Sequence, residues 1–119
     1  MRVDFRSLDS DNNEITYQSE AEIKNNTLIF NDNELDDTKI YFKLKDDSID
    51  LRRVGLVNMK LILDKNNKSY LTYKQENLYM ELDAKLIFYK KNGNSIYFEY
   101  NLYDGNNYLG NHKIWINLH

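Results

Sequence analysis

The sequence predicts an all-β protein, a single antiparallel up-and-down barrel of about eight to ten strands over residues 1–119. Apolar residues recur with a period of two along almost the whole chain, and short turn-forming pairs separate the alternating runs. Only Ile15 to Ile23 and the acidic stretch Glu34 to Asp37 could hide a helix; the first alternates too regularly and the second is too short.

Taken in order, Val3 and Phe5 open a strand, Asp9 to Glu14 turns it, and Ile15, Tyr17, Ser19, Ala21 and Ile23 form one face of the next. Asn25-Asn26 turns the chain into Leu28 and Phe30, and the polar connection Asn31 to Asp37 follows. Ile40, Phe42 and Leu44 precede an Asp46-Asp47 turn, after which come Ile49 and Leu51, then Met59, Leu61 and Leu63, then Leu71 and Tyr73. The longest run places Leu78, Met80, Leu82, Ala84, Leu86 and Phe88 on the core face, with Tyr79, Glu81, Asp83, Lys85 and Tyr89 between them. Ile87 interrupts the polar face and marks a local contact or a bend. Asn92-Gly93 signals a hairpin into Ser95 to Tyr103, and Asp104-Gly105 a second one into Tyr108 to Leu118, where Ile114, Ile116 and Leu118 face the core. So many short strands in one small chain must curl to cover their own apolar face. A closed barrel is favoured over a two-sheet sandwich, because hairpin signals run unbroken through the C-terminal half and closure removes exposed edges.

With 119 residues there is room for one domain, and 41% hydrophobic with 29% charged residues is the balance of a folded chain and not of a disordered tail. Sixteen Lys and Arg against 19 Asp and Glu give a net charge of -3, which removes the field that gathers nucleic acid. The absence of Cys excludes disulfides, thiolate zinc sites and thiol nucleophiles. Asp4 and Asp9 interrupt any apolar leader in MRVDFRSLDS, and no apolar run reaches about 18 residues, so a cytoplasmic protein without a membrane segment is expected. Pro is absent and Gly is limited to four, while Asn pairs stand where turns are needed. Asn tolerates left-handed backbone better than other side chains, so it takes over the turns.

From Arg53 and Gly55, through Met59 and its alternating strand, Tyr73 before a turn, the long strand from Leu78, and Tyr100 to Leu102 followed by Asp104-Gly105, the chain resembles the YwiB-like family of small bacterial proteins. The resemblance covers most of the chain and implies a lipocalin-like, or calycin-like, β-barrel of unknown function. Asn66 and Asn77 stand where that family tends to have Gly near its turns. The resemblance implies no catalytic residues that could be transferred.

Candidate chemistry is sparse. His119 ends the chain, where order is uncommon, and His112 lies three residues before Trp115 on a strand, a rim or surface position. No nucleophile elbow, His-x-x-x-His pair or glycine-rich phosphate loop occurs, so no catalytic residue and no metal ligand is assigned and no cofactor is implied. Glu81, Asp83 and Glu99 could supply a carboxylate pair, yet alternation assigns them to water. Asp32, Glu34, Asp36 and Asp37 lack the spacing of a calcium loop and read as a solvated connection. Tyr70, Tyr73, Tyr79, Tyr89, Tyr97, Tyr103 and Tyr108 suit cross-strand packing, with an exposed aromatic face for a protein partner as the functional use. Arg52 and Arg53 fall on opposite faces of one strand, so one guanidinium points to the apolar side and must be paired, reach water or bind an anion. Arg53 is therefore the leading ligand-binding candidate, with Met59, Tyr73 and Tyr100 as neighbours. The expected function is non-enzymatic binding of a small apolar or anionic ligand in the barrel. The alternative is a protein-interaction or homodimerising domain using a Tyr-rich face, and a carboxylate-based enzyme ranks third.

Overall fold

Each alternating run becomes a strand, because period-two patterning gives a pleated backbone one apolar face to bury. The computed structural model, which describes residues 1–35 and 37–119, contains β1 (Arg2–Asp9), β2 (Glu14–Lys24), β3 (Thr27–Asn31), β4 (Lys39–Leu44), β5 (Ser48–Val54), β6 (Asn58–Asp64), β7 (Ser69–Gln75), β8 (Leu78–Asn92), β9 (Ser95–Asp104) and β10 (Asn107–Leu118). All neighbours pair antiparallel in chain order, and β1 pairs with both β2 and β10, so the sheet closes into an up-and-down barrel. The seam runs from Val3 opposite Leu118 to Asp9 opposite His112. His119, expected to be loose, is tied to it: its amide donates to the Arg2 carbonyl at 2.8 Å and its ring Nε2 lies 2.6 Å from Asp4 Oδ2.

The turns follow the residues. Asn25 and Asn26 both take positive φ, 53° and 62°, as a two-residue hairpin of the type I' pattern requires. The β8–β9 loop sits one residue later than the Asn92-Gly93 expectation. Asn92 pairs with Ser95, leaving Gly93-Asn94 as the loop, and the positive φ of 62° falls on Gly93 alone.

The larger correction concerns β8. A bulge between Leu86 and Phe88 inserts one residue, so the two sides of the strand exchange faces there. Leu82 is buried as expected, but Phe88 is turned outward and exposed, whereas Tyr89, expected outside, packs against the core. Lys91 then shares the inward face with its partner Ile96. Near the strand ends the inward pattern also outruns its cover, leaving Ile23, Leu78 and Met80 exposed.

Among the described residues, eighteen buried apolar side chains fill the middle of the barrel, Val3, Leu61, Leu63, Phe98 and Ile116 with no measurable exposure. Phe42 on β4 and Phe98 on β9 come from opposite walls of the ten-strand ring, yet their rings stack at 6.1 Å between centroids. The walls therefore meet at mid-height, and the interior is divided into two ends. Outside, Tyr97, Trp115 and Arg6 form a cross-strand ladder, with the Arg6 guanidinium 4.3 Å from the Trp115 ring centroid.

Candidate functional site

At the end of the barrel away from the termini, Arg53 pairs across to Met59 and Met59 to Tyr73. All three face inward, since Leu51, Leu61 and Leu71, two residues along each strand, are buried. Tyr100 comes from β9, four strands further round, is itself buried, and lies within the electrostatic field of Arg53. The four residues singled out in the sequence thus share one end and one face. The Tyr73 hydroxyl turns out to Gln75 Oε1 at 2.9 Å, whereas the Tyr100 hydroxyl is buried.

Arg53 is already paired. Its Nε lies 2.8 Å from Oδ2 of Asp32, close enough for strong Coulombic attraction though off the angle of a hydrogen bond. The Asp32 side chain is 1% exposed and that of Arg53 is 27% exposed, so the carboxylate is enclosed and the guanidinium reaches water. Asp32 had been expected in a solvated connection. Instead its Oδ1 accepts from the Glu34 amide at 2.9 Å and its own amide donates to the Thr38 carbonyl, so it closes the β3–β4 loop over Arg53. Glu34 and Asp37 remain exposed, and Asp36 lies outside the described residues. Nothing in the alternation could have signalled the pairing, because Asp32 sits just past the end of its strand.

Two tyrosines flank the pair. Burial, then the Asp32 charge, pushes the Tyr17 hydroxyl well above its ordinary range, with Arg53 opposing; its oxygen is buried without a hydrogen-bond partner. Burial likewise raises Tyr100, again opposed by Arg53. Both hydroxyls are neutral at pH 7. His112 stacks on Tyr100 at 5.1 Å and 15° between planes, half-buried and so more enclosed than the rim position expected for it. Its pKa is lowered from 6.5 by burial, against the pull of Asp9 and Asp11. A largely buried cation whose head reaches water, a buried carboxylate, two neutral phenols and a neutral imidazole make a polar mouth with no net charge to offer an anion.

The remaining candidates do not converge. Lys68 Nζ lies 3.8 Å from Glu81 and 3.7 Å from Asp83, while Glu99 accepts from the Tyr97 hydroxyl and the Asn111 amide. Tyr79 and Tyr108 are exposed but stand on β8 and β10, with β9 between them.

The end that carries the termini has a different chemistry. Leu28, Phe42, Leu44, Ile96 and Leu118 floor a depression of about 440 Å³, and Lys43, Lys45 and Lys91 stand on its rim. None of the ion pairs found among the described residues involves these three lysines. Lys43 stands opposite Asp50, which is already paired with Arg52, and Lys45 acts on Asp64, which is held low chiefly by the Asn66 amide. Sequence reasoning missed this site because the β8 bulge decides that Lys91 faces inward.

The model of a family described as "Domain of unknown function (DUF1934)" matches residues 4–116. Among solved structures, the crystal structure of the ywiB protein from Bacillus subtilis superimposes with a TM-score of 0.66 at 18% identity, covering 98% of this chain and 89% of that one. A search of curated proteins finds no match.

Two predictions follow from the polar mouth. Arg53→Met strands an enclosed carboxylate and costs about 2–3 kcal/mol in urea unfolding, below the range of a fully enclosed pair because Arg53 reaches water. Asp32→Asn keeps the Glu34 contact and costs about 1 kcal/mol, and the double variant costs less than the sum of the two. His112 takes its proton more readily unfolded than folded. The stability it contributes is present above its unfolded value of 6.5 and is lost as pH falls below it. The unfolding midpoint should therefore drop between about pH 7 and pH 5, and His112→Gln should flatten that slope.

Proposed function

The chain belongs to the DUF1934 family, and from the geometry of its two mouths we propose that it is a non-enzymatic barrel that binds a small amphiphilic anion at the end bearing the termini. The observation that carries this is the apolar floor beside three lysines, none of which takes part in an ion pair found among the described residues. An apolar body would remove water from Leu28, Phe42, Leu44, Ile96 and Leu118, worth roughly 25 cal/mol per Å² covered. An acidic head would sit among Lys43, Lys45 and Lys91, where Coulombic attraction at the rim fixes its orientation. The stacked Phe42 and Phe98 rings limit how deeply the body can enter. The lipocalin-like character implied by the family resemblance belongs to this proposal, since barrels of that kind take small molecules at an open end. Arg53 offers an anion less, because Asp32 already supplies the carboxylate.

Anilinonaphthalene sulfonate, an aromatic body with one sulfonate, is a suitable probe. Its fluorescence should rise to saturation on the folded protein. Lys45→Gln with Lys91→Gln should weaken binding about tenfold, or ~1.4 kcal/mol. Arg53→Gln should leave the affinity unchanged wherever its spectrum shows it folded. Dye affinity indifferent to the two lysine changes would overturn the proposal.

A further inference from the structure

Strand β8 is longer than the neighbour that should cover it. It pairs with β7 from Leu78 opposite Gln75, but its pairing with β9 begins only at Asp83. From Leu78 to Leu82, β8 is paired on one side alone, leaving an open edge of about 15 Å at the ordinary rise per strand residue. The side chains there are uncovered as well: Leu78 is 59% exposed, Tyr79 61% and Met80 42%. Leu78 and Met80 stand on the inward face, in line with buried Leu82, so they overhang the polar mouth without touching a roof. An alternating apolar edge with free amides and carbonyls is a template for another strand. Natural edges are usually blunted by Pro, Lys or a bulge, and none of these falls between Leu78 and Leu82.

Charge identifies the occupant. The edge is flanked by Glu76, Glu81 and Asp104, all exposed, and turns elsewhere on the same end of the barrel carry Asp11, Glu34 and Asp37. Against them stand Lys74 on β7, Lys85 on β8 and Lys39 on β4, with Lys60 over the Tyr70 ring on β7, while Lys68 already lies between Glu81 and Asp83. A second copy paired antiparallel through the same five residues would set Glu81 opposite Tyr79 and diagonal to the other Glu81, crowding the exposed Glu76, Glu81 and Asp104 of two acidic chains along one seam, whereas a basic strand would meet them with opposite charge. We propose that the Leu78–Leu82 edge of β8 accepts a strand from a protein partner whose segment alternates apolar residues with Lys or Arg. The apolar residues of that strand would cover Leu78 and Met80, its basic residues would meet the flanking carboxylates, and its backbone would complete the ladder that β9 leaves unfinished. This site lies at the opposite end from the lysine-rimmed depression, and neither proposal depends on the other.

The test is a titration of the full chain with a ten-residue peptide of alternating Val and Lys, followed by amide shifts in NMR and by anisotropy, with an alternating Val and Glu peptide as the counterpart. Binding of the Lys peptide, with shifts centred on Leu78 to Asp83 and at least tenfold weaker binding by Met80→Lys, supports the proposal. Met80 is exposed enough for this change to leave the rest of the spectrum in place, and Glu81→Lys gives a second variant with the same expected direction. Equal binding of the Glu peptide, shifts away from β8, or affinity unaffected by both variants overturns it. So does a peptide-free dimer in sedimentation that Met80→Lys dissociates, since the occupant is then a second copy.

Discussion

The contact between Phe42 and Phe98 governs what this barrel can do. A cylinder of ten strands encloses a volume that either a ligand or its own side chains must fill, since an apolar void forfeits dispersion contacts on every wall. Here the opposite walls reach each other through stacked rings, and Phe98 continues through Tyr100 to His112. A second aromatic group, Phe5 with Tyr17 and Phe30, packs the other flank. The middle of the barrel is a packed core.

The two ends solve the problem of an inward-facing cation in different ways. Arg53 is neutralised from within the chain, because the β3–β4 loop folds Asp32 onto it and encloses the carboxylate. Lys91 has no such partner and stays exposed beside an apolar floor. One end therefore has its inward-facing cation satisfied and leaves strand edge and apolar side chains open, while the other has its strands paired and leaves an inward-facing cation open. The asymmetry arises from strand lengths: β8 overshoots β9 at one end, and its bulge re-aims its last residues at the other.

Much of this was legible in the sequence. Period-two alternation and Asn-rich turns are local signals, and they pointed to a closed barrel of about eight to ten strands, where the structure has ten, to the Asn25-Asn26 turn, and to the inward positions of Arg53, Met59, Tyr73 and Tyr100. What escaped depends on relations between strands. A bulge adds one residue without altering composition, so Ile87 hinted at an irregularity but could not show that Phe88 and Tyr89 would exchange faces. The Asp32–Arg53 pair joins residues 21 positions apart across a loop and a strand, and an acidic run gives no sign of which carboxylate will turn inward. The open edge of β8 is a difference between two pairing registers, visible only once both are known.

The most direct measurement is the nuclear Overhauser effect between the ring protons of Phe42 and Phe98 in protein labelled at phenylalanine. A packed interior predicts strong cross-peaks between the two rings, since their centroids stand 6.1 Å apart. Cross-peaks from each ring to its own strand neighbours but none between the rings would mean that the walls stand apart, and the interior would then be the binding site.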